Sequence, residues 1–222
     1  KGLILMNNKK FCFIMCSNDK QYEDECMLYI NDLKIPDGYV VDHIIIHNAI
    51  SMTSGYNKAM NSSDAKYKIY LHQDVFILNK NFLYDLLTYF KDPSVGMIGI
   101  VGSPDFPKNC VMWYGYRIGI FYSNSIYSSS YNEFQKIYSP SQVEAVDGFL
   151  MATQYDIPWR EDIFTGWDFY DISQCFEFRK AGYNIIIPPS DTPWCFHDDG
   201  ILNLTDYNNN RKLSREYYSS ML

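Results

Sequence analysis

Polar residues follow three apolar runs in the first half of the chain and have the side-chain chemistry of a ligand site. Each group stands at the turn after a run, before a stretch with helical spacing. If the runs are parallel strands, their carboxyl ends meet at one edge of a sheet, where α/β proteins bind ligands. The residues predicted to bind a nucleotide there are Ser17, Asn18, Asn48, His72, Gln73 and Asp74.

Asp74 is the predicted metal ligand of this group. The chain carries a net charge of -7, so a nucleoside diphosphate would need a divalent cation to supply positive charge locally. Mn²⁺ and Mg²⁺ prefer hard carboxylate oxygens, and Asp74 offers one at a strand end with His72 nearby. A purely structural alternative stays open, in which Asp74 begins the next turn and His72 is a core histidine satisfied by the backbone.

Four apolar runs must position these residues, and most are followed by a polar turn and a helical pattern. The first run, residues 11–16, is apolar throughout, which is typical of a strand covered by helices on both faces. Residues 40–47, 69–74 and 95–102 form the other runs, and residues 81–90 show helical spacing. The pattern predicts an α/β fold in which a parallel, nucleotide-binding half-sheet is flanked by helices.

The second half of the chain has a different composition. Residues 104–141 are rich in Tyr, Ser, Gly and Asn, which favours a hairpin-bearing substrate region. A strand is predicted within residues 143–153 and a helix over residues 168–181, before a glycine and a further strand. The predicted organisation is one catalytic domain over residues 1–222, with a nucleotide-binding half at about 11–102, an acceptor and catalytic half at 103–200, and a peripheral tail at 201–222.

Charge and composition exclude several classes of function. A net charge of -7 and a pI near 5.0 argue against nucleic acid as a partner, because such binding requires clustered Lys and Arg. The glycine-rich motifs of dinucleotide-binding and P-loop proteins are absent from the sequence. Aromatic residues make up 17% of the chain, a content that suits grooves for stacking on sugar rings or bases.

The spacing of the cysteines and the length of the apolar runs indicate where in the cell the protein is expected. Six cysteines are scattered through apolar segments without a Cys-x-x-Cys pair, which favours reduced, buried thiols and a cytoplasmic protein. No apolar run reaches the roughly 18 residues of a transmembrane helix, so any association with a membrane is expected to be peripheral.

Two neighbouring strings resemble a known family. SMTSGYNKAM at residues 51–60 precedes YLHQDV at residues 70–75, and together they are similar to the family 2 glycosyltransferases with the GT-A fold, particularly the StrF-like branch. The resemblance implies a mixed central sheet and a nucleotide-binding role for Asn57. The family motif is of the Asp-x-Asp type, and His72 stands here at its first acidic position, so only Asp74 is carried over as the metal-side carboxylate.

A later segment is similar to the part of the family that carries the general base in inverting members. GWDFYDIS begins at residue 166 and leads into the AGY turn that ends at residue 183. The resemblance implies that Asp171 is the base, that Asp168 is the second candidate, and that Trp167 contacts substrate. The structural alternative is that Asp168 caps the helix and Asp171 stabilises its first turn through the helix dipole.

Two more segments extend the resemblance over residues 11–197. WCFHDDG at residues 194–200 resembles the late segment whose histidine is a metal ligand, which implies that role for His197, with Asp198 as a fallback. Asp147 in VDGFL stands where the family contacts the sugar or the acceptor. A buried turn aspartate is the alternative for Asp147.

The resemblance therefore implies an inverting, metal-dependent glycosyltransferase of the hexosyltransferase type, as used in polysaccharide biosynthesis. Its expected cofactor is Mn²⁺ or Mg²⁺, its expected donor is a nucleotide sugar, above all a UDP-sugar, and its acceptor is a carbohydrate or other hydroxyl. Two alternatives stay open. One is a catalytically inactive carbohydrate- or nucleotide-binding protein of the same fold, favoured by His72; the other is a nucleotidyltransferase, although residues 17–20 lack a Gly/Arg/Lys-rich phosphate loop.

Overall fold

A computed structural model of the chain describes residues 5–126, 128–200 and 203–222. These residues form thirteen β-strands and five α-helices. The strands are β1 (Asn7–Ser17), β2 (Val40–His47), β3 (Ala65–Leu71), β4 (Val75–Ile77), β5 (Val95–Gly99), β6 (Val101–Ser103), β7 (Ile118–Ser125), β8 (Ser129–Glu133), β9 (Ser141–Val143), β10 (Ala145–Val146), β11 (Leu150–Thr153), β12 (Asn184–Ile187) and β13 (Cys195–Gly200). The helices are α1 (Lys20–Asn31), α2 (Met52–Met60), α3 (Phe82–Phe90), α4 (Tyr170–Lys180) and α5 (Tyr207–Tyr217).

A seven-stranded mixed sheet, in the order β2-β1-β3-β11-β5-β12-β9, forms the centre of the molecule. β2, β1 and β3 are parallel neighbours, as predicted for the first half of the chain. β11 runs antiparallel to both β3 and β5, so β5 and its parallel neighbour β12 point the same way as β3. The carboxyl ends of β1, β2 and β3 consequently share one edge of the sheet.

The central sheet is buried on both faces, as the apolar run of β1 predicts. Cys12 and Ile14 belong to one hydrophobic cluster, while Phe11 and Phe13 belong to the other. This alternation follows from the two-residue period of a strand, which sends neighbouring side chains to opposite faces. All six cysteines lie within the described residues, and each is buried and free.

A second sheet, in the order β10-β6-β7-β13-β4, lies beside the end of β3, and β8 pairs with β7 as an antiparallel hairpin. β4 follows β3 after a short turn and pairs antiparallel with β13, which places His197 opposite Val75. The second sheet thus brings the late part of the chain to the turn that carries Asp74.

Two predicted strand boundaries are wrong. β3 ends at Leu71 rather than continuing to Asp74, because the chain turns there, with the Val75 amide donating to the His72 carbonyl. The strand predicted at residues 95–102 is divided between the two sheets as β5 and β6. Val146 packs closely against Gly99 at the point of division: a Cβ on Gly99 would lie 2.6 Å from the Val146 side chain.

The helix that carries the candidate base also begins later than predicted. α4 begins at Tyr170, and its N-cap is Phe169, which has a left-handed φ of 61° and makes no side-chain capping hydrogen bond. The alternative in which Asp168 caps this helix is therefore wrong. By contrast, the side chain of Asp19 caps α1 by accepting from the amides of Gln21 and Tyr22.

The segment predicted as a peripheral tail contains α5 and ends close to the core. Tyr218 is fully buried, its ring lies 4.8 Å from that of Phe176, and its hydroxyl donates to Glu177. Residues 1–4, 127 and 201–202, which the predicted domain bounds include, lie outside the described residues. No helix in the described part of the chain is both long enough and apolar enough to cross a bilayer.

Candidate active site

The turn between β3 and β4 is held in place by both sheets. The His72 amide donates to the Phe149 carbonyl at 3.0 Å, and the Asp198 amide donates to the Asp74 carbonyl at 2.9 Å. One bond comes from the segment before β11 and the other from β13. The backbone that carries His72 and Asp74 is therefore fixed on two sides.

His72, Asp74 and His197 form a compact cluster whose potential ligand atoms all lie within 4.8 Å of one another. His197 Nε2 lies 3.5 Å and His72 Nδ1 lies 3.9 Å from Asp74 Oδ1. The two imidazole rings meet edge to face with centroids 5.4 Å apart. We refer to these three residues as the His-Asp-His cluster.

The His-Asp-His cluster fits a divalent cation. Asp74 Oδ1 is buried, and no donor among the described residues makes a hydrogen bond of good geometry to it. Buried polar atoms normally have a partner, so an oxygen without a well-formed hydrogen bond is free to accept a ligand. Carboxylate oxygen and imidazole nitrogen are both donors that a divalent first-row metal accepts.

Burial and mutual charge shift the pKa values in the cluster. Burial works to raise the pKa of Asp74, but the close approach of His197, whose Nε2 lies 3.5 Å from Asp74 Oδ1, together with the charges of His72 and His197, outweighs it and lowers that pKa. Burial works to lower the pKa of His197, yet Asp74 and Asp199 raise it above the ordinary value. Burial dominates at His72 and lowers its pKa. Asp74 is thus held ionised, and His72 is held neutral, which is the state a metal-binding imidazole needs.

Asp171 lies at the start of α4, against the turn between β10 and β11. The Gly148 amide donates to Asp171 Oδ2 at 3.0 Å. Burial, reinforced by the charge of Asp147, raises the pKa of Asp171 to about 7. A carboxyl group with such a pKa exchanges protons near neutral pH, as a general base must.

Asp147 is near enough to both Asp171 and the His-Asp-His cluster for its charge to affect them. Its own pKa is raised by burial, against the attraction of His197 and His72. Its charge in turn raises the pKa of both His197 and Asp171. Asp147 accepts from the Phe149 amide at 3.2 Å, so it also has the turn role that the sequence left open.

Tyr170 connects helix α4, which carries Asp171, to the His-Asp-His cluster. Its side chain is buried, and its hydroxyl hydrogen-bonds with His72 Nε2. Gly148 makes this packing possible, because a Cβ at Gly148 would lie 2.3 Å from the Tyr170 hydroxyl and 2.7 Å from Asp171 Cβ. No sequence motif pointed to Tyr170.

The predicted nucleotide residues after β1 and β3 also meet. Gln73 Oε1 accepts from the amides of Asn18 and Asp19 at 2.9 and 3.0 Å, and Gln73 Nε2 donates to Asn18 Oδ1 at 2.7 Å. Ser17, at the end of β1, is buried. Asn48, after β2, is exposed and has a left-handed φ of 55°.

The side chain of Asn57 is bonded within the core and not directed to this sheet edge. It is buried in α2, and its amide group donates to the Trp159 carbonyl and accepts from the Trp159 amide, both at 2.9 Å. These bonds satisfy both ends of the amide within the core. Asn57 therefore ties α2 to the segment before α4, and its contact with nucleotide stays a prediction.

The remaining predicted residues have different surroundings. The Asp168 side chain bonds to Asn210, and burial raises its pKa. Trp167 is 53% exposed beside it. Asp198 accepts from the Tyr22 hydroxyl and from Asn124 Nδ2, and it is outside the His-Asp-His cluster, so its fallback role as a metal ligand stays a prediction.

Asp199, which the sequence reasoning missed, lies closer to the cluster than Asp198 does. Its Oδ1 is 3.9 Å from His197 Nε2. A strand alternates its side chains, so residues two apart share a face and adjacent residues do not. Had residues 194–200 been treated as a strand, this alternation would have favoured Asp199 over Asp198.

Comparisons with known proteins agree on the type of molecule. The model of the glycosyltransferase like family matches residues 12–218. The mannosyltransferase PcManGT from Pyrobaculum calidifontis, solved in complex with GDP-Man and Mn²⁺, has a TM-score of 0.61 at 12% identity over 98% of this chain and 65% of its own. TarS 1-349 from S. aureus, in complex with UDP-GlcNAc, has a TM-score of 0.61 at 11% identity over 94% of this chain and 66% of its own.

At these identities the likeness shows a shared fold. The chain spans slightly less than two thirds of the length of either solved relative. A search of the curated proteins found no match.

Proposed function

This chain belongs to the glycosyltransferase-like family and has the GT-A fold, and we propose that it transfers a sugar from a nucleoside diphosphate sugar to an acceptor hydroxyl with inversion, in a reaction that requires a divalent cation. One observation carries the proposal. The His-Asp-His cluster and the Asp171 carboxylate are linked through Tyr170, which precedes Asp171 in α4 and whose hydroxyl contacts His72, and both are influenced by the charge of Asp147.

The donor side of the reaction is assigned to the ends of β1, β2 and β3. Asp74 and His197 would hold the cation, Mn²⁺ or Mg²⁺, while Asn18 and Gln73 line the nucleotide pocket with Ser17 and Asn48. A bound cation offsets the negative charge of the diphosphate and of the departing nucleotide. The solved relatives with GDP-Man and Mn²⁺ or with UDP-GlcNAc support a nucleotide sugar as the donor.

The acceptor side of the reaction is assigned to Asp171. Its carboxylate takes the proton of the acceptor hydroxyl while that oxygen bonds to the anomeric carbon and the bond from this carbon to the diphosphate oxygen breaks. A single displacement of this kind inverts the anomeric configuration. The hydrogen bond from the Gly148 amide holds the carboxylate in one orientation before the acceptor arrives.

Asp147 and Trp167 are proposed to contact the sugar or the acceptor. The charge of Asp147 influences both the base and the cluster, and the exposed Trp167 offers a ring face on which a sugar can stack. If the acceptor is a carbohydrate, the reaction would extend a sugar chain, as in polysaccharide biosynthesis.

The direct test is to measure release of nucleoside diphosphate. The purified chain is incubated with UDP-, GDP- and dTDP-sugars, with Mn²⁺ or with a chelator, in the presence of simple sugars as acceptors. We expect turnover with one nucleotide class, lost on chelation and lost in Asp171→Asn. Release that persists in the chelator would contradict the cation requirement, and absence of release from every donor would contradict transfer itself.

A further inference from the structure

The first residue of the turn after β3 is a histidine where the family resemblance leads one to expect an acid. We propose that His72 is a third protein ligand of the cation, through Nδ1, and that the site therefore selects Mn²⁺ and later first-row ions over Mg²⁺. This inference rests on the proposed function and specifies the ion it uses.

The geometry of the cluster carries the first step. His72 Nδ1 and His197 Nε2 lie 3.9 and 3.5 Å from the same oxygen, Asp74 Oδ1, and all three ligand atoms are within 4.8 Å of one another. Two atoms bound to one ion are separated by at most twice a metal-ligand bond of about 2.1 Å. The spread of up to 4.8 Å exceeds this limit of about 4.2 Å by roughly half an ångström, so the side chains must move inward by that amount to bind one ion.

The second step is the orientation of the imidazole. His72 Nε2 hydrogen-bonds with the Tyr170 hydroxyl, which leaves Nδ1 on the side of Asp74. Metal-binding histidines characteristically donate their other ring N–H to a fixed partner, which sets both the tautomer and the ring angle. Tyr170 is buried, and its hydroxyl packs over Gly148, so this partner is fixed. We assign Tyr170 as a positioning residue for His72.

The third step is the preference of the resulting site. Two imidazole nitrogens and one carboxylate oxygen would bind the ion. Mg²⁺ favours oxygen ligands and gives up its water reluctantly, whereas imidazole suits later transition ions. Mn²⁺ accepts both kinds of donor, and affinity for such a site rises from Mn²⁺ toward Zn²⁺. With His72 in place of a second carboxylate, the site attracts the cation less strongly by charge but prefers Mn²⁺ over Mg²⁺.

The test is equilibrium binding of Mn²⁺, measured by the EPR signal of the free ion, with Mg²⁺ as competitor and UDP present or absent. His72→Asp restores a carboxylate, and we expect its preference for Mn²⁺ over Mg²⁺ to fall at least about tenfold, the scale on which partners of metal-bound histidines act. His43→Asp makes the same change at an exposed residue of β2 and should leave the preference unchanged.

Pulsed EPR of bound Mn²⁺ supplies an independent measurement. We expect nitrogen couplings from two imidazoles in the unaltered protein and from one in His72→Asp. Tyr170→Phe should lower Mn²⁺ affinity about 10- to 100-fold and weaken one of the couplings, whereas a purely structural role would leave the couplings intact.

The outcomes separate this inference from the proposed function. If Mn²⁺ binds with one imidazole, or if His72→Asp leaves both the preference and the couplings unchanged, His72 is not a ligand and the cation proposal stands. If no cation binds with or without UDP, the cation requirement falls as well, while transfer is judged by the release assay.

Discussion

Asp171 and Asp168 are three residues apart, yet their surroundings give them different chemistry. Asp171 receives the Gly148 amide and has a pKa of about 7, whereas Asp168 bonds to Asn210 near the C-terminal helix. We expect Asp171→Asn to lower kcat by about 10² to 10⁴-fold, the usual contribution of a general base, because the amide cannot accept a proton. Nucleotide affinity, measured by calorimetry, should stay near normal.

Asp168→Asn is the matched comparison for that substitution. It makes the same chemical change on the same segment, and we expect it to retain most of the turnover. Full turnover in Asp171→Asn with loss in Asp168→Asn would exchange the two assignments.

The raised pKa of Asp171 also predicts a pH profile. A general base acts in its ionised form, and burial together with Asp147 raises the pKa of this carboxyl to about 7. The transfer rate should therefore rise between about pH 6 and pH 8 and then level off. A rate that is flat across this interval, or that falls, would argue against a base with this pKa.

At the level of residues, the sequence indicated most of the His-Asp-His cluster but not Tyr170, the residue that positions it. The resemblance implied Asp74 and His197, and the structure brings them together with His72. Tyr170 could not be foreseen, because its contact with His72 joins residues 98 apart in the chain. The buried contact of Asn57 with Trp159 could not be foreseen either, because it likewise joins distant segments.

Among the elements, the turn between β10 and β11 has the tightest packing requirement at the site. A Cβ on Gly148 would meet the Tyr170 hydroxyl and Asp171 at distances that real side chains do not adopt. We expect Gly148→Ala to displace both residues, to destabilise the fold by about 1 to 3 kcal/mol, and to reduce turnover strongly. Urea unfolding and the release assay measure the two effects.

Gly166→Ala is the control for Gly148→Ala. The nearest atom to a Cβ there is Asn210 Nδ2 at 3.8 Å, an ordinary contact, and the backbone is not left-handed. We expect stability within about 0.5 kcal/mol of the unaltered protein. Equal losses in the two variants would show that Gly148 has no special packing role.

The order of the elements was easier to predict than their ends. Continuous apolar runs identified β1, β2 and β3. Both faces of β1 and β3 are buried along these runs, whereas β2 is the edge strand and is half-buried or exposed over most of its length. β5 and β6 appeared as one run because a change of sheet alters the partners of a strand without altering its apolar composition. The start of α4 was placed too early because Phe169 ends the preceding turn through a backbone angle that its residue type does not reveal.

On the scale of the whole molecule, the C-terminal segment belongs to the core. Tyr218 is fully buried, while its neighbour Tyr217 is 51% exposed. We expect Tyr218→Ala to destabilise the fold by about 3 to 5 kcal/mol, as for other large buried aromatic residues, and Tyr217→Ala to cost about 0.5 kcal/mol or less. Chemical denaturation of the two variants makes the comparison, and equal midpoints would contradict this packing.

The GT-A fold was implied by local motifs and is confirmed by the mixed sheet and by the solved relatives. The antiparallel insertion of β11 between β3 and β5 was not evident, since strand order depends on contacts between segments far apart in sequence. That insertion matters for function, because it brings the turn with Asp147 and Gly148 beside His72.

Calorimetric titration with UDP and with GDP, each with and without Mn²⁺, tests most directly whether this sheet edge is a cation-dependent nucleotide site. We predict that one nucleotide binds only when Mn²⁺ is present, and that Asp74→Ala abolishes this dependence along with most of the affinity, because Asp74 supplies the one carboxylate of the His-Asp-His cluster. Binding of equal strength without Mn²⁺, or unchanged binding in Asp74→Ala, would contradict the assignment.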